Sequence, residues 1–167
     1  LGDVYKRQDM TDTEHKLMVL ADIARELNKE KITWAIGASL MLYLRGIVTQ
    51  FHDIDIMVAE CDAERAEQAI CRIGKEQPRN GTAQYKTRYF IEFTVDGVDV
   101  DLMAGFVIVL DGTDHECPLL PEDITETRIV NGENVPLHSA ARWAEYYRLM
   151  GRDAKAGMVK EWIDRAV

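Results

Sequence analysis

A chain of 167 residues, 47% hydrophobic and 29% charged, can bury one sizeable core and has the composition of an ordinary globular protein. Its formal net charge of −9 leaves no basic stripe to release counterions. That argues against a nucleic-acid backbone as main partner, with tRNA the one exception kept open. No apolar run reaches the roughly 18 residues that span a bilayer, so no membrane partner is expected.

The N-terminus also lacks the apolar stretch of a secretory signal, and a cytoplasmic protein is expected. Cys61, Cys71 and Cys117 are odd in number and without CxxC spacing, which reads as free thiols in a reducing compartment. The first eight residues, LGDVYKRQ, resemble translated adapter sequence, so residues 1–9 are expected to be non-native and Met10 the natural start.

Residues 13–30 repeat Leu17, Leu20, Ala21, Ala24 and Leu27 at helical spacing, with Thr13 as the expected N-cap. Residues 32–36 read as a buried strand. Gly37-Ala38-Ser39 then permits close approach to the backbone and opens a helix with unpaired N–H groups, where an anion can sit. Ser39 can double as that helix's N-cap. Residues 39–45 are apolar nearly all round, and Gly46 ends them. In 53–58 acid alternates with aliphatic: Ile54, Ile56 and Val58 share one face, Asp53 and Asp55 the other.

Residues 62–73 predict a second amphipathic helix with Asp62 as N-cap, and 77–81 a loop. Residues 85–95 predict a strand turning at Asp96-Gly97 into 98–103. Another strand at 106–110 closes at Asp111-Gly112, and 115–123 reads as irregular. Residues 128–130 and 134–137 flank Asn131-Gly132 as a small hairpin, and helices at 138–150 and 154–166 break at Gly151. His52 reads as a solvated link residue and His138 as a helix-start residue; Trp34, Trp143 and Trp162 fit packing positions. The sum is an α+β fold: a mixed sheet flanked by helices, with a core at 10–137 and a closing helical segment at 138–167.

Two carboxylates on one strand face repel each other, and a divalent cation gives a reason to place them there. Val98-Asp99-Val100-Asp101-Leu102-Met103 is a second run of the same kind, with Asp99 and Asp101 competing for the role of third acid.

Strand, small-residue turn, helix, Asp53-Ile54-Asp55 strand and a later acid-bearing strand resemble the minimal nucleotidyltransferase superfamily, the DNA polymerase β-like fold. The approach Thr49-Gln50-Phe51-His52 looks most like the lincosamide- and aminoglycoside-modifying branch and AbiEii-type nucleotidyltransferases. The resemblance implies transfer of a nucleoside monophosphate from an NTP to a hydroxyl of a small molecule, antibiotics included, or of a macromolecule, with release of pyrophosphate. It implies two Mg²⁺ ions, replaceable by Mn²⁺, at Asp53, Asp55 and Asp101, with Asp101 taking the acceptor's proton. Gly37, Ala38 and Ser39 would hold the phosphates, joined by Lys155 from the closing helices. Arg148, Arg152 and Lys155 all sit on those helices, where the family often places a cation toward the nucleotide, with an ordinary solvated helix face the first reading for them. The alternative is a nucleotide-binding or toxin–antitoxin module that keeps the fold without turnover. Ala38, standing where the family has Gly or Ser, and the short acceptor region motivate it.

Overall fold

The computed structural model describes residues 10–78 and 84–166. The expected non-native tail at 1–9 and positions 79–81 of the expected loop lie outside them. Thr11, not Thr13, caps helix α1 (Asp12–Lys29): its hydroxyl accepts from the Glu14 N–H at 3.1 Å. The α1 stripe of Leu20, Ile23, Ala24 and Leu27 is fully buried. Strand β1 (Trp34–Ile36) is shorter than expected, with Ile32 buried just outside it. Helix α2 (Ala38–Leu44) ends at Gly46, whose φ of 79° is the left-handed conformation a glycine adopts freely.

Strand β2 (Ile54–Val58) begins one residue after Asp53. A 3₁₀ turn (Glu60–Asp62) leads into α3 (Ala63–Cys71). Asp62 holds the cap position, but its carboxylate turns away to accept from the Thr33 N–H at 3.0 Å and from Arg65. Strands β3 (Lys75–Glu76), β4 (Tyr89–Val95) and β5 (Val98–Ala104) follow, then β6 (Val107–Leu110) and β7 (Thr113–Glu116). Strands β8 (Ile124–Val130) and β9 (Glu133–His138) precede helices α4 (Ala140–Leu149) and α5 (Asp153–Arg165).

Asp96-Gly97, Asp111-Gly112 and Asn131-Gly132 all have positive φ at both residues, which folds the flanking strands back on each other. Strand β7 replaces the start of the segment expected to be irregular. Its polar, mostly exposed residues carry no apolar alternation, and the Asp111-Gly112 turn alone brings it against β6. The hairpin expected around Asn131-Gly132 is longer than its apolar residues suggest, and β9 joins the main sheet parallel to β1 through Ile36 and Leu137. His138 is therefore the buried last residue of β9 rather than a helix start. Ser139 caps α4, its hydroxyl accepting from the Arg142 N–H at 3.2 Å.

The seven-stranded sheet runs β3-β4-β5-β2-β1-β9-β8, and β6–β7 form a separate ribbon. Helices α1 and α3 pack on the aliphatic face; α2, α4 and the β6–β7 ribbon stand on the other. The architecture is mixed α+β, as expected. Among the described residues no helix is long and apolar enough to cross a membrane. Cys61, Cys71 and Cys117 are free thiols.

Candidate active site

The sheet register assembles the acids. Parallel pairing of β2 with β5 sets Asp55 beside Asp101, and the β4–β5 hairpin sets Glu92 opposite Asp101. Their neighbours Ile54, Ile56, Val100, Leu102, Ile91 and Phe93 turn into the core. Three carboxylates thus form a row across three adjacent strands, an arrangement that like-charge repulsion opposes.

The Asp55 and Asp101 carboxyls stand within hydrogen-bonding reach of each other. Burial, then the charges of Asp101 and Asp53, pushes Asp55 well above the usual carboxylate range. Burial is also the main cause that raises Asp101, to about 6, assisted by the charges of Asp53, Glu92 and Asp99. Asp53 is exposed just before β2, within electrostatic reach of both, and Asp99 is exposed on β5. Among the described residues no group of three or more His, Cys, Asp or Glu side chains is gathered as a ready metal-ligand set. The geometry delivers a pair, with Asp53 beside it.

The Gly37 turn is pinned to the same place: its N–H donates to the Asp55 carbonyl oxygen at 3.0 Å. A Cβ on Gly37 would stand 2.5 Å from the Trp143 ring, so the close approach expected at this glycine is made by the chain's own indole. Ala38 takes the left-handed conformation, φ 52°, and lines the cavity. Gly37, not Ser39, occupies the N-cap position, and Ser39 is the second residue of the helix.

A cavity of about 360 Å³ opens between the acid row and the turn. Asp55, Asp101, Glu92 and Ala38 line it, together with Tyr85, Phe90, Phe106, Trp143, Tyr147 and Arg152. The Lys155 ammonium lies 5.1 Å from the centre of the Tyr147 ring. Burial and Arg152 lower its pKa, while Asp55 opposes them. Arg148 pairs with Glu145 on the surface instead. His52 is exposed, and His138 packs between Trp143 and Tyr146, pushed down to about 4 chiefly by burial.

The profile of the aminoglycoside-2''-adenylyltransferase family matches residues 19–162, most of the chain. The chain belongs to this family. As an aminoglycoside-2''-adenylyltransferase family member it is a nucleotidyltransferase. A candidate nucleotidyltransferase from Thermotoga maritima is similar over 93% of this chain and 96% of its own, at 28% identity and a TM-score of 0.68. The fold also recurs in ANT(2'')-Ia, solved with adenylyl-2''-tobramycin: 12% identity, 92% of this chain, 99% of that one, TM-score 0.56. Lincomycin-bound lincosamide adenylyltransferase LnuA shares it at 13% identity over 90% and 97% of the two chains, TM-score 0.53. No curated protein sequence matches significantly.

In this family member Glu92, Trp143 and Tyr147 are among the cavity residues that the sequence reading did not place at the site, while Arg152, named there only as a closing-helix cation, lines it. Glu92 had a signal. A two-residue turn at Asp96-Gly97 pairs Val95 with Val98, and stepping back three places along each strand sets Glu92 against Asp101. The aromatics of α4 had none, because a helix face says nothing about which cavity it closes.

Proposed function

We propose that this chain transfers a nucleoside monophosphate from an NTP to a hydroxyl of a small molecule, releasing pyrophosphate. One observation carries the reading: Asp55 and Asp101, paired in register, line one 360 Å³ cavity together with Ala38 of the small-residue turn. Hard carboxylate oxygens driven together suit Mg²⁺ or Mn²⁺, so Asp55 and Asp101 would hold a divalent ion and Asp53 would add an oxygen from the entrance. When bound, the metal neutralises charge on the triphosphate.

Ala38 and Ser39 would hold the phosphate tail with N–H and hydroxyl donors at the turn that Gly37 sets, the Gly37 N–H itself being given to the Asp55 carbonyl, and Lys155 would offset its charge. Asp101 would take the acceptor's proton from its place beside Asp55 at the acidic end of the cavity. Tyr85, Phe90 and Phe106 offer apolar wall to an acceptor of modest size. The antibiotics in two relatives of the same fold, tobramycin as its adenylyl adduct and lincomycin, support a hydroxyl-rich small molecule as that acceptor. In this reading 10–137 is the transferase core, 138–167 closes over it, and the reaction runs in the cytoplasm, where NTP and Mg²⁺ are at hand.

The test is calorimetric titration of ATP with Mg²⁺, followed by pyrophosphate release across a panel of hydroxyl acceptors. Binding should vanish in the Asp53→Ala/Asp55→Ala double variant. Unchanged affinity there would sink the metal site. Tight binding with no pyrophosphate from any acceptor would favour a nucleotide-binding module without turnover.

A further inference from the structure

Glycine and alanine stand in an unexpected order in the small-residue turn. Gly37 has φ −116° and ψ −171°, an extended conformation that any residue adopts. Ala38, next along, has φ 52°, the left-handed region that favours glycine. The glycine therefore sits where the backbone does not ask for one. Conformation leaves Gly37 unexplained, and space explains it. The three nearest atoms that a Cβ there would meet all belong to Trp143: Cζ2 at 2.5 Å, Cε2 at 2.8 Å and Nε1 at 3.0 Å. That indole has nowhere to retreat. It is 2% exposed, with the rings of Phe106, Tyr146 and Tyr147 centred 6.2, 5.3 and 5.4 Å away.

The sheet shows why the two residues meet. Strands β1 and β9 run parallel with Ile36 beside Leu137, so the turn after β1 and the start of α4 after β9 leave the sheet at the same end. Trp143 stands one turn into α4, its N–H donating to the Ser139 carbonyl at 3.2 Å. The small-residue turn is thus tied twice. The Gly37 N–H binds it to Asp55 on β2, and the bare Gly37 Cα seats it on α4. Ala38, which lines the cavity, follows directly, so a shift at Gly37 passes straight to the cavity wall.

We propose that Trp143 is a positioning residue: its indole, seated in the room left by the missing Gly37 side chain, fixes the Ala38–Ser39 turn where it receives the nucleotide. The indole itself makes no contact with the nucleotide in this role. The role deepens the proposed transfer reaction and rests on it for the identity of the ligand. It gives Gly37 a purpose inside the protein, to admit the chain's own ring, and makes α4 part of the turn's support.

A double-mutant cycle read by Mg·ATP titration and by thermal melting tests this. Gly37→Ala drives a methyl group into the indole. It should lower the melting temperature and weaken Mg·ATP by roughly tenfold or more, as small misplacements of a binding group do. In turnover the loss should fall on the KM for ATP and leave the acceptor's KM unmoved. Trp143→Phe replaces the double ring by a single one and opens room for that methyl. In the Trp143→Phe background the same methyl should therefore weaken Mg·ATP by less than about threefold, and the two melting losses should not add. Should Gly37→Ala fail to fold, the double variant against Trp143→Phe alone still decides. A methyl that weakens Mg·ATP equally in both backgrounds would overturn the proposal, because it would then meet the nucleotide rather than the indole. So would a Gly37→Ala variant that melts lower yet binds Mg·ATP like the wild type, since the contact would then be packing alone.

Failure here is separable from failure of the transfer reading. A wild type that binds Mg·ATP and releases pyrophosphate, with an equal methyl effect in both backgrounds, removes the positioning role alone. A wild type that binds no Mg·ATP removes the transfer reading, and the positioning role with it.

Discussion

Two pairs of aspartates, Asp62 with Asp123 and Asp55 with Asp101, are held away from open water in two different ways. Asp62 and Asp123 are 8% and 5% exposed. Asp62 accepts from the Thr33 N–H and Arg65; Asp123 accepts from Arg142 Nε at 3.0 Å and the Leu120 N–H at 3.3 Å. Asp55 and Asp101, partly buried at the sheet centre, have mainly each other. Lys155 is the cation that eases Asp55, and it comes last among the influences on that carboxyl. The first pair is supplied with donors by the fold; the second is left in want of a cation, which the proposed metal would supply.

Asp101→Asn should show the largest effect. If Asp101 is the proton acceptor proposed above, its loss should lower kcat/KM by roughly 10²–10⁴-fold, measured as pyrophosphate release. Stability should move the other way. Asp101 titrates near 6 when folded and lower when unfolded, so the folded chain binds more protons between those values and loses stability as pH rises through them. The variant escapes that loss. Its melting temperature should exceed the wild type's above pH 6, and the gap should close toward pH 4. His138 has the opposite sign: held down to about 4, it costs stability as pH falls below its unfolded value. It is present in both proteins and cancels in the difference. A variant less stable than the wild type at pH 8 would end the distinction between the two classes of acid.

Asp62→Ala should behave in reverse. It strands the Thr33 N–H and frees Arg65, which is half exposed and recovers water, so urea unfolding should show a loss of about 1–3 kcal/mol. Activity per folded molecule should stay at the wild-type level. The smallest effect is expected for Asp99→Asn. Asp99 faces the same way as Asp101 but is exposed, and the cavity does not reach it. Stability should change by less than about 0.5 kcal/mol, with kcat/KM intact. A large fall in activity would restore Asp99 as the third acid.

Much of the site was legible in one dimension, and the reasons are local. Alternation put Ile54 and Ile56 opposite Asp55, and Val100 and Leu102 opposite Asp101, because successive side chains of a strand point to opposite faces. Asp96-Gly97, Asp111-Gly112 and Asn131-Gly132 declared their turns because few other residue pairs adopt positive φ twice in succession. Gly37 was marked as a point of close approach, and it is one.

What stayed hidden depends on partners far along the chain. No period in residues 133–138 says that β9 lies beside β1 or that His138 is sealed behind it. No spacing in α4 says that the Trp143 indole lies against Gly37 and walls the cavity. Dihedral preference and side-chain alternation are properties of neighbours in sequence. Which helix closes over which strand is settled by packing across a hundred residues, and there the donors, the cations and the size of the cavity were chosen.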